Sequence, residues 1–122
     1  MLAYTTIGAN NKDEALAFYD AIFGELGAQR VFNNDRLQFW SNGNGPMIGV
    51  GTPFEQEEAA AGGNGAMLAL SAPDTDTVDR VYKKALELGA TCEGEPGHRM
   101  PTFYGAYFRD KDGNKLCVCK IG

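Results

Sequence analysis

The sequence predicts an α+β protein in which one unit, strand, helix, strand, strand, strand, is used twice. Three observations predict it. The tetrapeptide Glu-Leu-Gly-Ala occurs at Glu25 to Ala28 and again at Glu87 to Ala90. Each copy closes a stretch with helical periodicity and opens one that reads as a strand. Each is also followed by three strand candidates that end in an apolar triplet, Ile48-Gly49-Val50 in one half and Leu116-Cys117-Val118 in the other. A repeat at this spacing implies a duplicated architecture. It reads as a single domain over 1–122, with module one about 1–51, a linker over 52–65 and module two about 66–122.

Taken in order, Leu2 to Ile7 is the first strand. The first helix begins at Asn11, whose side chain can accept from first-turn amides while Glu14, three residues on, reaches back as in a capping box. Leu16, Tyr19, Ile22, Phe23 and Leu26 share one face, and Gly27 ends the helix. Strands follow at Gln29 to Asn33, Arg36 to Ser41 and Pro46 to Gly51, divided by Asn33-Asn34-Asp35 and Asn42-Gly43-Asn44-Gly45, which carry turn chemistry. Thr52 to Gly65, rich in Ala, Gly and Glu, is the long linker.

The second module opens with the strand Ala66 to Ala72. Pro73-Asp74-Thr75-Asp76 supplies caps for a helix whose apolar face is Val78, Val81, Tyr82, Ala85 and Leu88, and Gly89 gives the left-handed residue that ends it. Strands at Thr91 to Glu95, Tyr104 to Arg109 and Lys115 to Lys120 complete the unit, the last two joined through Asp110-Lys111-Asp112-Gly113-Asn114. Both helices are expected to lie on sheets whose other face is wet.

Composition narrows the function. A chain of 122 residues that is 43% hydrophobic can bury a core, and no segment reads as a membrane span or a secretory leader. A soluble cytoplasmic protein is expected. Sixteen acidic against 11 basic side chains give a formal charge of −5, which disfavours nucleic acid and anionic membranes as partners, since both need clustered Lys and Arg. A neutral or cationic small organic molecule suits that balance better. Three cysteines are an odd number; Cys117 and Cys119, two apart on a strand, stand too far apart for an easy disulfide. A reducing compartment fits them.

Ala17-Phe18-Tyr19-Asp20, Tyr104-Gly105-Ala106-Tyr107-Phe108 and Arg109-Asp110-Lys111-Asp112-Gly113-Asn114, in this order and in step with the repeat, resemble the glyoxalase, bleomycin-resistance and extradiol dioxygenase superfamily, the vicinal oxygen chelate proteins. The resemblance spans nearly the whole chain. It implies two βαβββ modules in pseudo-twofold repeat that form an open, curled mixed sheet, a cup with the helices on its outer face, completed as a homodimer in either a swapped or an unswapped pairing.

Metal-dependent members of that family place His or Glu on the first and last strand of each module. By the resemblance these positions fall on Tyr4, Gly49, Met67 and Cys117, and none is His, Asp or Glu. A phenol, a bare hydrogen, a thioether and a thiol lack the charge and hardness that a catalytic divalent ion requires. No metal or other cofactor is expected, while the four side positions remain candidates to line the ligand site. A displaced cluster of Cys117, Cys119 and the lone His98 is one alternative, and Cys117 as a nucleophile with His98 as its base is another. Against both stands the ordinary behaviour of free cysteine, a small buried hydrophobe.

His98 lies in Glu95-Pro96-Gly97-His98-Arg99-Met100-Pro101, which its prolines mark as a loop or strand end near the rim. There His98 and Arg99 could reach a carboxylate or phosphate on a ligand. Phe39-Trp40, Phe103-Tyr104 and Tyr107-Phe108 each put one ring toward the cup and one under a helix. Trp40, Tyr104 and Tyr107, with an indole N–H or a hydroxyl as polar handle, are the ligand-binding candidates among them.

Two functions fit. The first is a metal-free protein that sequesters an organic compound in an aromatic-lined cup. The second is an enzyme, a lyase or isomerase of the glyoxalase type or a dioxygenase relative, with a relocated metal or with Tyr4, Cys117 or His98 handling a proton. A cup filled by its own side chains is the third and plainest outcome.

Overall fold

The structure is a computed structural model and describes residues 1–54, 58–59 and 65–122. The expected linker over 52–65 lies for the most part outside the described residues. The chain divides into two compact units, Met1–Ala60 and Ala61–Gly122.

The first unit holds β1 (Tyr4–Gly8), α1 (Lys12–Gly24), β2 (Gln29–Asn33), β3 (Leu37–Ser41) and β4 (Met47–Gly51). The second holds β5 (Leu68–Ser71), α2 (Thr75–Glu87), β6 (Thr91–Met100), β7 (Phe103–Arg109) and β8 (Lys115–Ile121). Their sheets run β1-β4-β3-β2 and β5-β8-β7-β6. In each, the first strand pairs parallel with the last and the other neighbours are antiparallel. The duplicated βαβββ unit and the α+β class expected from sequence are therefore both present.

The repeated tetrapeptide does the same work in both units. Ala28 N–H donates to the Phe23 carbonyl and Gly27 N–H to that of Gly24; Ala90 N–H donates to Ala85 and Gly89 N–H to Leu86. This closure needs a left-handed residue, and Gly27 (φ 76°) and Gly89 (φ 102°) supply it. At the other helix ends Asn11 accepts from the Glu14 amide at 3.1 Å, and Asp74 from the Thr77 amide at 2.8 Å. Those bonds satisfy donors that the first turn leaves without partners.

Helix α1 buries Ala15, Phe18, Tyr19, Ile22 and Phe23, a clean i, i+3, i+4, i+7, i+8 stripe. The sequence reading set that stripe slightly off, since Leu16 and Leu26 are only half-buried. Against the stripe lie Trp40 and Val50 from the sheet. Helix α2 buries Thr77, Val78, Val81 and Ala85 over β6, β7 and β8, where Phe108, Leu116 and Val118 are fully enclosed. Each such apolar side chain stabilises the fold by about 1.5–3 kcal/mol.

One strand departs from expectation. Glu95 to Pro101 was expected as a loop or strand end, yet β6 continues through it to Met100. The strand is at the sheet edge and its register slips between Cys92 and Gly94, Gly94 and Gly97, and His98 and Met100. An edge strand with bulges can carry Pro96, because a missing N–H costs no ladder bond there.

Candidate functional site

Each sheet has one face under its helix and one face free of it, and alternation along the strands sorts the candidate residues between them. In the first unit Phe39 pairs with Gly49, and Thr6 with Gly49, so these residues share a face. Tyr4 joins them, its ring set edge-on to Phe39 with centroids 5.4 Å apart, and Phe32 lies 5.8 Å from Phe39 on the other side. Tyr4 is half-exposed and Phe39 buried. A side chain on Gly49 would start 2.6 Å from the Phe39 ring, so the ring occupies the space above that glycine.

Beside this surface an open cleft of about 380 Å³ runs past Thr6, Gly8, Arg36, Thr52, Pro53 and Phe54. The Arg36 guanidinium donates to the Thr52 carbonyl at 2.9 Å and lies 5.3 Å from the Phe54 ring centroid. The sequence reading missed this cleft, because Arg36 precedes β3 and Phe54 lies beyond β4, where no periodicity marks their direction.

Trp40 is not on this face. Following Phe39 by one residue, it points under α1, where it is 2% exposed and packs on Tyr19 and Phe23. Its indole N–H donates to Asp20 at 2.9 Å, and Arg30 pairs with the same carboxylate at 2.8 Å. The Arg30 bond, partly opposed by burial and aided by the indole, holds the Asp20 carboxyl below its usual range. The expectation of a ligand-facing Trp40 is thereby corrected to a core role.

In the second unit Tyr107 pairs with Cys117, and Gly105 with Cys119. Together with Lys115, two residues before Cys117, they form the helix-free face. Arg99 lies over Tyr107 with its guanidinium carbon 5.2 Å from the ring centroid, and the Lys115 ammonium is 5.7 Å from it. Met67, half-exposed just before β5, shares the alternation of Ala69, which pairs with Cys117.

Burial pushes the Cys117 thiol up to about 12, with Cys119 adding to the rise. Near neutral pH it is a thiol and not a thiolate, so it is a poor nucleophile and a poor metal donor. Burial, followed by the neighbouring Cys117, also raises the Tyr107 hydroxyl. All three cysteines are free, Cys117 and Cys119 buried and Cys92 exposed. A thiol-specific disulfide reagent added to folded protein at neutral pH should consume Cys92 rapidly and the other two only after denaturation. Fast labelling of Cys117 would contradict its enclosure.

His98 and Tyr104 belong to the opposite face. Tyr104 donates to Asp79 of α2 at 2.7 Å, and His98, its register partner, sets its ring edge-on 5.0 Å away. The sheet therefore separates His98 from Cys117 and Cys119. Neither the three-residue cluster nor the Cys117–His98 nucleophile and base is assembled. The physical cause is that Pro96 does not open a loop, so strand alternation still governs where His98 points.

Among the described residues, no group of three or more His, Cys, Asp or Glu side chains could hold a metal ion. None of their helices is long and apolar enough to cross a membrane.

Paired βαβββ units, each with a mixed sheet helix-covered on one face and free on the other, define the class. The chain belongs to the Glyoxalase/Bleomycin resistance protein/Dioxygenase superfamily, whose family model matches residues 1–118. A glyoxalase/bleomycin resistance protein from Albidiferax ferrireducens T118 is 32% identical with a TM-score of 0.91, covering 100% of this chain and 99% of that one. A lactoylglutathione lyase from Agrobacterium tumefaciens is 25% identical, TM-score 0.69, covering 98% and 92%. The fosfomycin resistance protein FosX from Mesorhizobium loti is 19% identical, TM-score 0.74, covering 100% and 92%, and shows a shared fold. A search of curated proteins found no match.

The donor set can be weighed against the divalent ion that metal-dependent members of this family hold. Tyr4, Gly49, Met67 and Cys117 offer no carboxylate and no imidazole, the Cys117 thiol keeps its proton, and the space above Gly49 is filled by Phe39. These residues do not fit a hard, catalytic cation.

Proposed function

We propose that this protein is a metal-independent small-molecule-binding member of its superfamily, holding an organic ligand against a helix-free sheet face. The observation that carries the reading is the donor set just described. At the positions where the resemblance implies ligands in metal-dependent relatives, this chain carries aromatic area and neutral polar groups, and such a lining supports binding by apolar burial and a few hydrogen bonds. In the first unit Tyr4 and Phe39 supply that area. In the second, Tyr107 does so over the enclosed thiols of Cys117 and Cys119, with Met67 at the margin.

The enzymatic alternative has less support. A general base must stand within hydrogen-bond reach of the group it serves, and His98 lies on the far face of the sheet from Cys117.

The test is metal analysis of protein purified without chelator, combined with a thermal-shift screen of organic acids, amines and aromatic metabolites. The expected result is substoichiometric metal and a stabilising ligand whose effect survives chelator. A ligand at a hundredfold its Kd raises stability by about 2.7 kcal/mol. Stoichiometric metal whose removal abolishes ligand binding would overturn the proposal. A homodimer in a reducing cytoplasm belongs to the same reading, since β1 and β5 each end a sheet and three thiols are free. A monomeric mass by light scattering would remove its first part.

A further inference from the structure

We infer that the helix-free face of the second unit is an anion subsite, built from Arg99 and Lys115 beside the Tyr107 ring, and that the ligand is an organic acid with a flat apolar body. The inference deepens the metal-independent reading and rests on it in one respect: without a cation at the family's metal positions, an acidic ligand group needs an anchor from side chains.

Three observations carry it. First, the two cations have no acidic partner among the described residues. On the same face Arg109 is committed to Glu93 at 2.6 Å and to the Gly113 carbonyl at 2.8 Å. Among the described residues no carboxylate lies within ion-pair distance of Arg99 or Lys115. In a chain with 16 acidic and 11 basic side chains, two adjacent cations with no acidic partner among the described residues mark a local field opposite to the net charge.

Second, Arg99 is held in place. Two of its five N–H donors are bound, one nitrogen giving to the Gly97 carbonyl at 2.8 Å and the other to the Glu95 carbonyl at 2.7 Å. These bonds lay the guanidinium over Tyr107 and leave three donors for a ligand, so little side-chain entropy remains to be lost on binding. Gly94 permits the arrangement, since a side chain there would start 3.0 Å from the guanidinium and 3.1 Å from the Tyr107 ring.

Third, the charges converge. Both lie close enough to one ring centroid that they are within about 11 Å of each other, roughly the Debye length at 0.1 M salt, so one anion feels both. Half-buried Tyr107, which covers the enclosed thiols, is an apolar floor for the rest of such a molecule. The net charge of −5, which favours cationic ligands when taken over the whole chain, does not describe this face.

The experiment uses three isosteric probes, 2-naphthoate, 2-naphthamide and 2-naphthylmethylammonium, titrated into chelator-treated protein while the backbone amide resonances of Gly94, Tyr107 and Cys117 are followed. The expected result is saturable shifts with 2-naphthoate, about tenfold tighter than with either other probe and weakening as salt is raised. Arg99→Gln and Lys115→Gln should each weaken naphthoate by about fivefold or more, with thermal midpoints near wild type. Lys83→Gln, at an exposed site on α2, should change nothing.

Equal or tighter binding of the amide or the amine, unchanged naphthoate affinity in both variants, or no saturable naphthoate shift at these amides would overturn the subsite. The two proposals fail differently. Amide or amine binding without metal, and none by the acid, removes the anion subsite and leaves metal independence standing. Acid binding that appears only after zinc or manganese is added removes metal independence instead.

Discussion

Replacing Trp40 with alanine is expected to destabilise the protein by about 3–5 kcal/mol while leaving the ligand affinity of the folded fraction unchanged. The cost comes from the hole. Trp40 is the largest of the fully enclosed side chains, wedged between Tyr19 and Phe23 of α1 at centroid distances of 6.3 and 5.4 Å. The indole hydrogen bond adds little to the loss, because Asp20 keeps two bonds to Arg30, at 3.0 and 2.8 Å, when the indole is gone. Its carboxylate is also 43% exposed and is not stranded in a dry interior. Denaturant midpoints measure the first quantity. Calorimetric titration with a ligand from the screen, at a temperature where the variant is folded, measures the second. A variant of nearly normal stability with much weaker binding would return Trp40 to the ligand face.

That experiment also locates where the sequence stopped being informative. Wherever a local rule was obligatory, it could be read. The two Glu-Leu-Gly-Ala copies name the helix ends, because a left-handed residue must follow the last turn and glycine adopts that geometry without strain. Alternation was equally firm within a strand: Tyr4 with Gly49, and Tyr107 with Cys117 and Cys119, fall on the same faces of their sheets. What alternation leaves open is which of two neighbours faces the helix. Phe39-Trp40 was resolved the wrong way because a polar handle was taken as a sign of a ligand wall. The Asp20 side chain on α1 satisfies that handle from the helix side, a pairing 20 residues distant that no local pattern announces.

The stretch around His98 failed for a related reason. Two prolines argue for a loop only if the backbone must donate to a neighbour on both sides, and an edge strand need not. Lys115 shows the opposite error, a signal present and unused. It stands two residues before Cys117, so alternation alone puts it on the thiol face, and a negative net charge over the whole chain does not show such a local cation. Net charge informs about solubility and long-range steering, whereas a subsite is set by charges within a Debye length.

Gly49→Glu is expected to cost about 1–3 kcal/mol, although it introduces a residue type that the family resemblance implies for a metal ligand at that position. The new side chain would begin 2.6 Å from one carbon of the Phe39 ring and 2.9 Å from the next, distances that no relaxed pair of carbons holds. Phe39 must therefore move. It is 5% exposed and lies between Tyr4 and Phe32, so moving it breaks two ring contacts, each worth about 0.5–1.5 kcal/mol beyond its buried area. Because Tyr4 and Phe32 are more than half exposed, the ring can tilt outward at that cost, which keeps the effect below the loss of a whole core residue. In a Phe39→Ala background the same substitution should be nearly neutral, since the space above residue 49 is then open. Denaturant titrations of the four proteins in this cycle give the coupling, expected at about 1–3 kcal/mol. Coupling near zero would mean that the ring does not occupy the ligand position, and the strongest structural argument against a metal donor on β4 would go with it.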